Sequence, residues 1–144
     1  MDEKTIKTLI VSAVEARKNS YCPYSGFRVG AALLTGSGRI YTAVNVENSS
    51  YPAGICAEQA AFARAVSEGE RSFIAVAIIG GKEAPESRSF SAECYPCGIC
   101  RQFMYELGGG DLEIITAESE DKYSVIKLCR LLPYSFTLDS SEGK

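Results

Sequence analysis

Histidine is absent from all 144 residues. That one absence excludes Ser–His and Cys–His hydrolases, H-E-x-x-H metalloproteases and any histidine proton shuttle. A zinc site in this chain must use cysteine and carboxylate only. A basic run is also missing. Fifteen Lys and Arg stand against eighteen Asp and Glu, a net charge of −3, which disfavours a long nucleic-acid partner. No apolar stretch is long enough to span a bilayer, and Met1-Asp2-Glu3-Lys4 reads as the polar start of a helix, without the pattern of a secretory signal. No Gly-rich phosphate cradle, internal repeat or low-complexity segment occurs. What is present, 46% apolar residues, suits one compact domain over residues 1–144 with a real core. Six cysteines without a secretory signal lead us to expect a reducing, cytoplasmic setting with thiols available for metal.

The cysteines are not scattered. In Cys94-Tyr95-Pro96-Cys97-Gly98-Ile99-Cys100-Arg101, Pro96 has a fixed φ and no N–H, so it can lead into a helix. Cys97 and Cys100 then share one face of the first turn, where free N–H groups and the helix dipole favour thiolates. Taken alone, C-x-x-C serves equally for zinc, a redox pair or plain core cysteines. A third cysteine upstream separates these. Residues 55–66, alanine-rich with Phe62 and Val66 four apart and closed by Gly69, read as a helix with Cys56 in its first turn.

Glu58, two residues after Cys56, lies too far around the turn to share its direction, so it can stand beside a metal without ligating it. Each residue has a bland reading: Glu58 as a first-turn carboxylate stabilised by the helix dipole, Cys56 as a small buried apolar residue. C-A-E at one helix start together with P-C-x-x-C at another makes both bland readings poor accounts at once. A His or Cys ligand, a Glu two residues on and a downstream P-C-x-x-C is the pattern of zinc deaminases. Three protein ligands leave a fourth position open for water, whose pKa zinc lowers. Glu58 is placed to take its proton and relay it to a leaving amine. Cys22, Cys94 and Cys129 read as core or loop thiols. A structural zinc would need four protein ligands, and Cys94 lies on the wrong side of Pro96 to join the same turn.

Along the chain, Thr5 is the expected cap of a first helix carrying Ile6, Leu9, Ile10, Ala13 and Val14 and ending near Asn19. A turn-rich loop, 21–26, precedes alternation at Phe27, Val29, Ala31 and Leu33. A hairpin turn at 35–38 and a returning strand at 40–46 follow. Residues 73–79 form a continuous apolar run, as for a strand buried on both faces. After a polar loop at 80–93 comes the second cysteine helix, from about Pro96 to Leu107, stopped by Gly108-Gly109-Gly110. A strand at 112–116, a fifth at 123–125, a short helix ending at Leu132-Pro133 and a frayed tail from Ser140 complete the reading. The expected fold is α/β: a three-layer αβα sandwich around a mixed five-stranded sheet, with both cysteine helices starting at the carboxyl ends of strands.

With Cys56-Ala57-Glu58, the run from Pro96 to Gln102 and Asn45-Val46-Glu47-Asn48 in hand, the chain resembles the small homotetrameric cytidine deaminases. Tyr24 to Ala32 and Leu131-Leu132-Pro133 are similar to further family segments, in the expected order. The resemblance implies hydrolysis of cytidine and 2′-deoxycytidine, one zinc per subunit on Cys56, Cys97 and Cys100, and proton transfer by Glu58. It also implies ribose recognition by Asn45 and Glu47, a base wall at Phe27 and contact of the Ala57 backbone N–H with the pyrimidine carbonyl. Sites in that family borrow loops from neighbouring subunits, and Tyr51 and Phe136 are the candidates for reaching across. An amide with donor and acceptor beside an acceptor-only carboxylate suits a diol, and a flat base suits an aromatic wall. Without the motifs, Asn45 and Glu47 would read as strand-end turn residues and Phe27 as a core aromatic. Two positions depart from the family pattern: Gln59, where Arg is common, and Ile99, where a smaller residue is common. With Gln59 uncharged, the charge of three thiolates would be offset by the helix N-termini and Arg101. The alternative within the fold is another amino-pyrimidine compound, such as the nucleoside antibiotic blasticidin S.

Overall fold

Asp2, not Thr5, starts the first helix. Its carboxylate accepts the Thr5 N–H at 2.7 Å, so the cap sits three residues earlier than expected and helix α1 runs Glu3–Ala16. A single 3-10 turn, Arg17–Asn19, extends it. The computed structural model describes residues 1–82, 90 and 93–138. Most of the expected loop at 80–93 and the tail from Ser140 lie outside the described residues.

Five strands form one sheet: β1 (Arg28–Thr35), β2 (Ile40–Val44), β3 (Phe73–Gly81), β4 (Glu113–Ala117) and β5 (Tyr123–Lys127). Their order is β2-β1-β3-β4-β5. The β1–β2, β1–β3 and β4–β5 pairs are antiparallel, and β3–β4 is parallel, so the sheet is mixed, as expected. Helices α2 (Ala57–Ser67), α3 (Gly98–Gly108) and the short α4 (Leu128–Leu131) complete the element list. Strand β5 runs two residues longer than the sequence suggested.

Period-two alternation distributes the strand side chains between two apolar layers. On one face Ala32, Ala75, Ala77 and Ile79 pack with the α1 stripe of Ile6, Leu9, Ile10 and Ala13. On the other, Leu33, Val76, Ile78 and Ile114 pack with Phe62 of α2, Met104 of α3 and Leu128 of α4. Residues of β3 serve both layers, which accounts for its unbroken apolar run. Helix α1 can lie this close to β1 because position 30 is glycine: a Cβ there would stand 2.0 Å from the Ala13 carbonyl oxygen. Phe90, in the segment read as a polar loop, is instead buried against the α1 layer.

Candidate active site

The two cysteine helices each begin two residues later than expected, at Ala57 and Gly98. Cys56 and Cys97 are N-caps with extended backbone (ψ 152° and 168°), not first-turn residues. Of these three cysteines only Cys100 lies inside its helix, where it is fully buried. An N-cap residue still accepts the first intrahelical bond: the Cys56 carbonyl takes the Ala60 N–H at 3.1 Å and the Cys97 carbonyl takes the Arg101 N–H at 2.9 Å. Docking of α2 beside α3 then brings the three sulfurs together, all within 4.8 Å of one another. Three sulfurs at such separations suit one zinc, whose bonds to sulfur are ~2.3 Å. Burial grades from Cys100 through half-buried Cys56 to exposed Cys97, so the cluster opens to one side.

The thiols share their protons unequally. A hydrogen bond from the Cys100 thiol, with a lesser one from Cys97, lowers Cys56 to about 7 against the opposing effects of burial and the Glu58 charge. Cys100, the donor in that pair, is held well above the usual thiol range. Glu58 is buried at the second position of α2, and burial raises its pKa. Cys94 lies close enough to feel both Glu58 and Cys56, but burial is the main cause that lifts it to about 11.

A cleft of about 590 Å³ reaches this cluster at Cys56. Asn45, Glu47, Tyr51 and Cys56, all singled out in the sequence, line it, together with Gln59 and Ile99, the two departures from the family pattern. Ala57 and Glu58, between the lining residues Cys56 and Gln59, are buried and do not line it. Phe27 falls just before β1 rather than within it, with its ring edge and the Cys94 sulfur against Gly80 of β3: a Cβ on Gly80 would sit 2.7 Å from each. Phe136 is exposed and does not line the cleft, and its carbonyl accepts the Gln102 side-chain N–H at 2.9 Å.

Three features escaped the sequence. Asn45 and Glu47 already hold backbone: Asn45 accepts the Val29 N–H at 2.8 Å and donates to the Phe27 carbonyl at 2.9 Å, while Glu47 accepts the N–H groups of Tyr24 and Ser25 at 2.9 and 3.2 Å. The side chains that hold this backbone are therefore also ones that line the cleft. Gly80 was read only as the start of a loop. Its signal was a glycine closing an apolar run. Arg101 donates to the carbonyls of Pro96 and Leu131, both at 2.8 Å. It ties the lead-in of α3 to α4, and those two nitrogens are directed at backbone.

A family model described as "Cytidine and deoxycytidylate deaminase zinc-binding region" matches residues 3–116. The chain belongs to that deaminase family. It is 39% identical over 144 residues to a probable cytidine deaminase of Dictyostelium discoideum, covering 100% of this chain and 92% of the relative. It is 39% identical over 132 residues to the cytidine deaminase of Sporosarcina psychrophila, covering 92% and 91%. The crystal structure of cytidine deaminase from Burkholderia pseudomallei superposes with a TM-score of 0.80 at 39% identity, covering 90% of this chain and 97% of that one. That from Mycobacterium tuberculosis gives 0.76 at 36%, covering 91% and 96%. The α/β architecture with its mixed five-stranded sheet is thus the cytidine deaminase fold, and the cysteine cluster is compatible with the zinc site of the deaminase family. Among the described residues no helix is long and apolar enough to cross a membrane.

Proposed function

We propose that this chain is a zinc-dependent cytidine deaminase, converting cytidine or 2′-deoxycytidine and water to uridine or 2′-deoxyuridine and ammonia. The observation that carries this reading is the buried Glu58 carboxylate within hydrogen-bonding reach of Cys100, one of three clustered thiols, with a cleft that reaches the cluster at Cys56. Cys56, Cys97 and Cys100 are the proposed zinc ligands. When bound, zinc supplies a Lewis acid that makes water nucleophilic near neutral pH. Glu58 would accept one proton of the attacking water at its carboxylate and deliver it to the ring nitrogen, then take the second from the new C4 hydroxyl and deliver it to the amine, which leaves as ammonia while the C4 carbonyl forms. A carboxyl group whose pKa burial has raised is suited to both halves of that transfer.

Substrate is oriented by residues with spare hydrogen-bonding capacity. Glu47 accepts from Tyr24 N, Ser25 N and Ser25 Oγ, leaving roughly one of about four lone-pair positions. Asn45 keeps one amide hydrogen and one lone pair beyond its two backbone bonds. That remainder suits a ribose hydroxyl, which supports cytidine or 2′-deoxycytidine over an amino-pyrimidine compound that does not present one. Phe27 is the proposed base wall and the Ala57 N–H the contact for the pyrimidine carbonyl.

We further propose a homotetramer in the cytoplasm, serving pyrimidine salvage, with residues 1–144 as one domain. Tyr51, Ile99 and Phe136 are 85%, 72% and 66% exposed, which supports their being covered by neighbouring subunits. The test is ultraviolet monitoring of purified, zinc-loaded protein with cytidine, 2′-deoxycytidine, cytosine and 2′-deoxycytidine monophosphate, with mass measured by light scattering. Turnover of the two nucleosides alone is expected. Absence of nucleoside turnover at full zinc occupancy would refute the activity, and a monomer would refute the assembly.

A further inference from the structure

The segment between α1 and β1 holds Phe27 by its backbone at both ends. The Phe27 N–H donates to Ser25 Oγ at 2.9 Å, and its carbonyl accepts from Asn45 Nδ2 at 2.9 Å. The Ser25 hydroxyl is at the same time a donor, to Glu47 Oε1. The second carboxylate oxygen of Glu47 takes the Tyr24 and Ser25 N–H groups. One hydroxyl therefore stands between the carboxylate on the cleft wall and the main chain that carries the aromatic ring. Ser25 and Glu47 both line the cleft, and the ring they position rests its edge on Gly80.

From this chain of bonds we infer that Ser25 is a positioning residue for the reaction: its hydroxyl fixes the Phe27 wall relative to the Glu47 end of the cleft. The inference rests on the deaminase reading above for its link to activity, and on the bonds alone for its link to the loop. Alanine at position 25 removes a donor to a carboxylate, a strong class of hydrogen bond, and leaves the Phe27 N–H without its acceptor. The ordering of the loop must then be supplied when substrate binds, which raises KM and leaves kcat nearly intact.

The test uses the full-length, zinc-loaded protein. In Ser25→Ala we expect faster hydrogen–deuterium exchange in peptides spanning 24–27, unchanged zinc content, and a KM for cytidine raised roughly ten-fold with kcat changed by less than about three-fold, as for loss of one charge-assisted hydrogen bond. Ser25→Thr, which keeps the hydroxyl, restores most of both. In Glu47→Gln, adding Ser25→Ala should raise KM further by clearly less than in the native background, because the two residues act through one bond. Unchanged exchange at 24–27 in Ser25→Ala overturns the inference whether or not the protein deaminates cytidine. Faster exchange with an unchanged KM overturns the link to activity, as does a Ser25→Thr variant no better than alanine or full additivity with Glu47→Gln. An unmodified, zinc-loaded protein that leaves cytidine untouched refutes the proposed function instead, and the exchange measurement then decides the loop.

Discussion

Substituting Gly80 by alanine should damage the candidate site more than the fold. The new Cβ would stand 2.7 Å from Phe27 Cε1, 2.7 Å from Cys94 Sγ and 3.1 Å from Cys94 Cβ. Carbon contacts are optimal at roughly 3.5–4.0 Å, so about 1 Å of relief is needed. Strand β3 cannot supply it, because Gly80 is paired with Val29 across the β1–β3 ladder. One of the two side chains must move. Cys94 packs against the α2–α3 core layer, whereas Phe27 is at the surface end of β1 with 36% exposure. The ring therefore swings outward. Overpacking costs ~1–3 kcal/mol, and with one side free to move the low end applies. For a chain of this size, about 1 kcal/mol lowers Tm by about 3–4 °C.

The larger effect falls on substrate. An aromatic contact contributes ~0.5–1.5 kcal/mol beyond area, so displacing the wall should raise KM for cytidine roughly three- to ten-fold. Zinc content should not change. Scanning calorimetry, metal analysis and steady-state kinetics on Gly80→Ala measure the three quantities. Adding Cys94→Ala opens space on the other side and should return part of the lost KM. If Gly80→Ala keeps both Tm and KM, the close approach of Phe27 to β3 is not what positions the ring, and the reasoning fails.

Glu58→Ala should keep its zinc and lose nearly all turnover, since the carboxylate moves protons and does not ligate; metal analysis showing zinc loss would make it a ligand. Cys56→Ala, Cys97→Ala and Cys100→Ala should each empty the site, while Cys94→Ala, a half-buried thiol packed on Gly80, should retain metal by the same analysis. Asp2→Asn tests the corrected helix cap by its pH dependence. The hydrogen bond from Thr5 lowers the Asp2 pKa below 3.8, so the charged cap stabilises the fold above about pH 4, and that contribution disappears as pH falls through the lowered value. Thermal midpoints of the two proteins should differ at pH 7 and converge in acid.

The parts of the fold legible in the sequence were those set by periodicity. The α1 stripe, the alternation of β1 and the unbroken run of β3 each report which faces are covered, and covering is what the apolar pattern encodes. The clustering of Cys56, Cys97 and Cys100 was equally legible, because the two motifs place all three at or near helix starts. Boundaries were less so. Asp2 and Thr5 are both acceptable caps, and the choice between them depends on which residues reach the sheet. The extended backbone of Cys56 and Cys97 has no signature in residue type. Least visible were the duties of Asn45 and Glu47 toward residues 24–29. Those bonds join segments well apart in sequence, and their partners are main-chain N–H and C=O groups, which every residue possesses. Gly80 was hidden for a related reason: the need for glycine came from two side chains of distant segments, Phe27 and Cys94.

The placement of the sulfurs has a consequence for how the chain is held shut. Cys56 belongs to the start of α2, and Cys97 and Cys100 to the start of α3, so an ion shared by all three fastens two points roughly forty residues apart. In chain-entropy terms a tie of that span restricts the unfolded ensemble by on the order of 4 kcal/mol, comparable with a large share of the stability of an ordinary domain. Stripping the metal therefore removes a clasp as well as a reagent. Chelation should lower the resistance of the whole molecule to denaturant and protease, far from the cleft as well as within it, and a preparation short of zinc would be scarce in folded protein before it was merely slow.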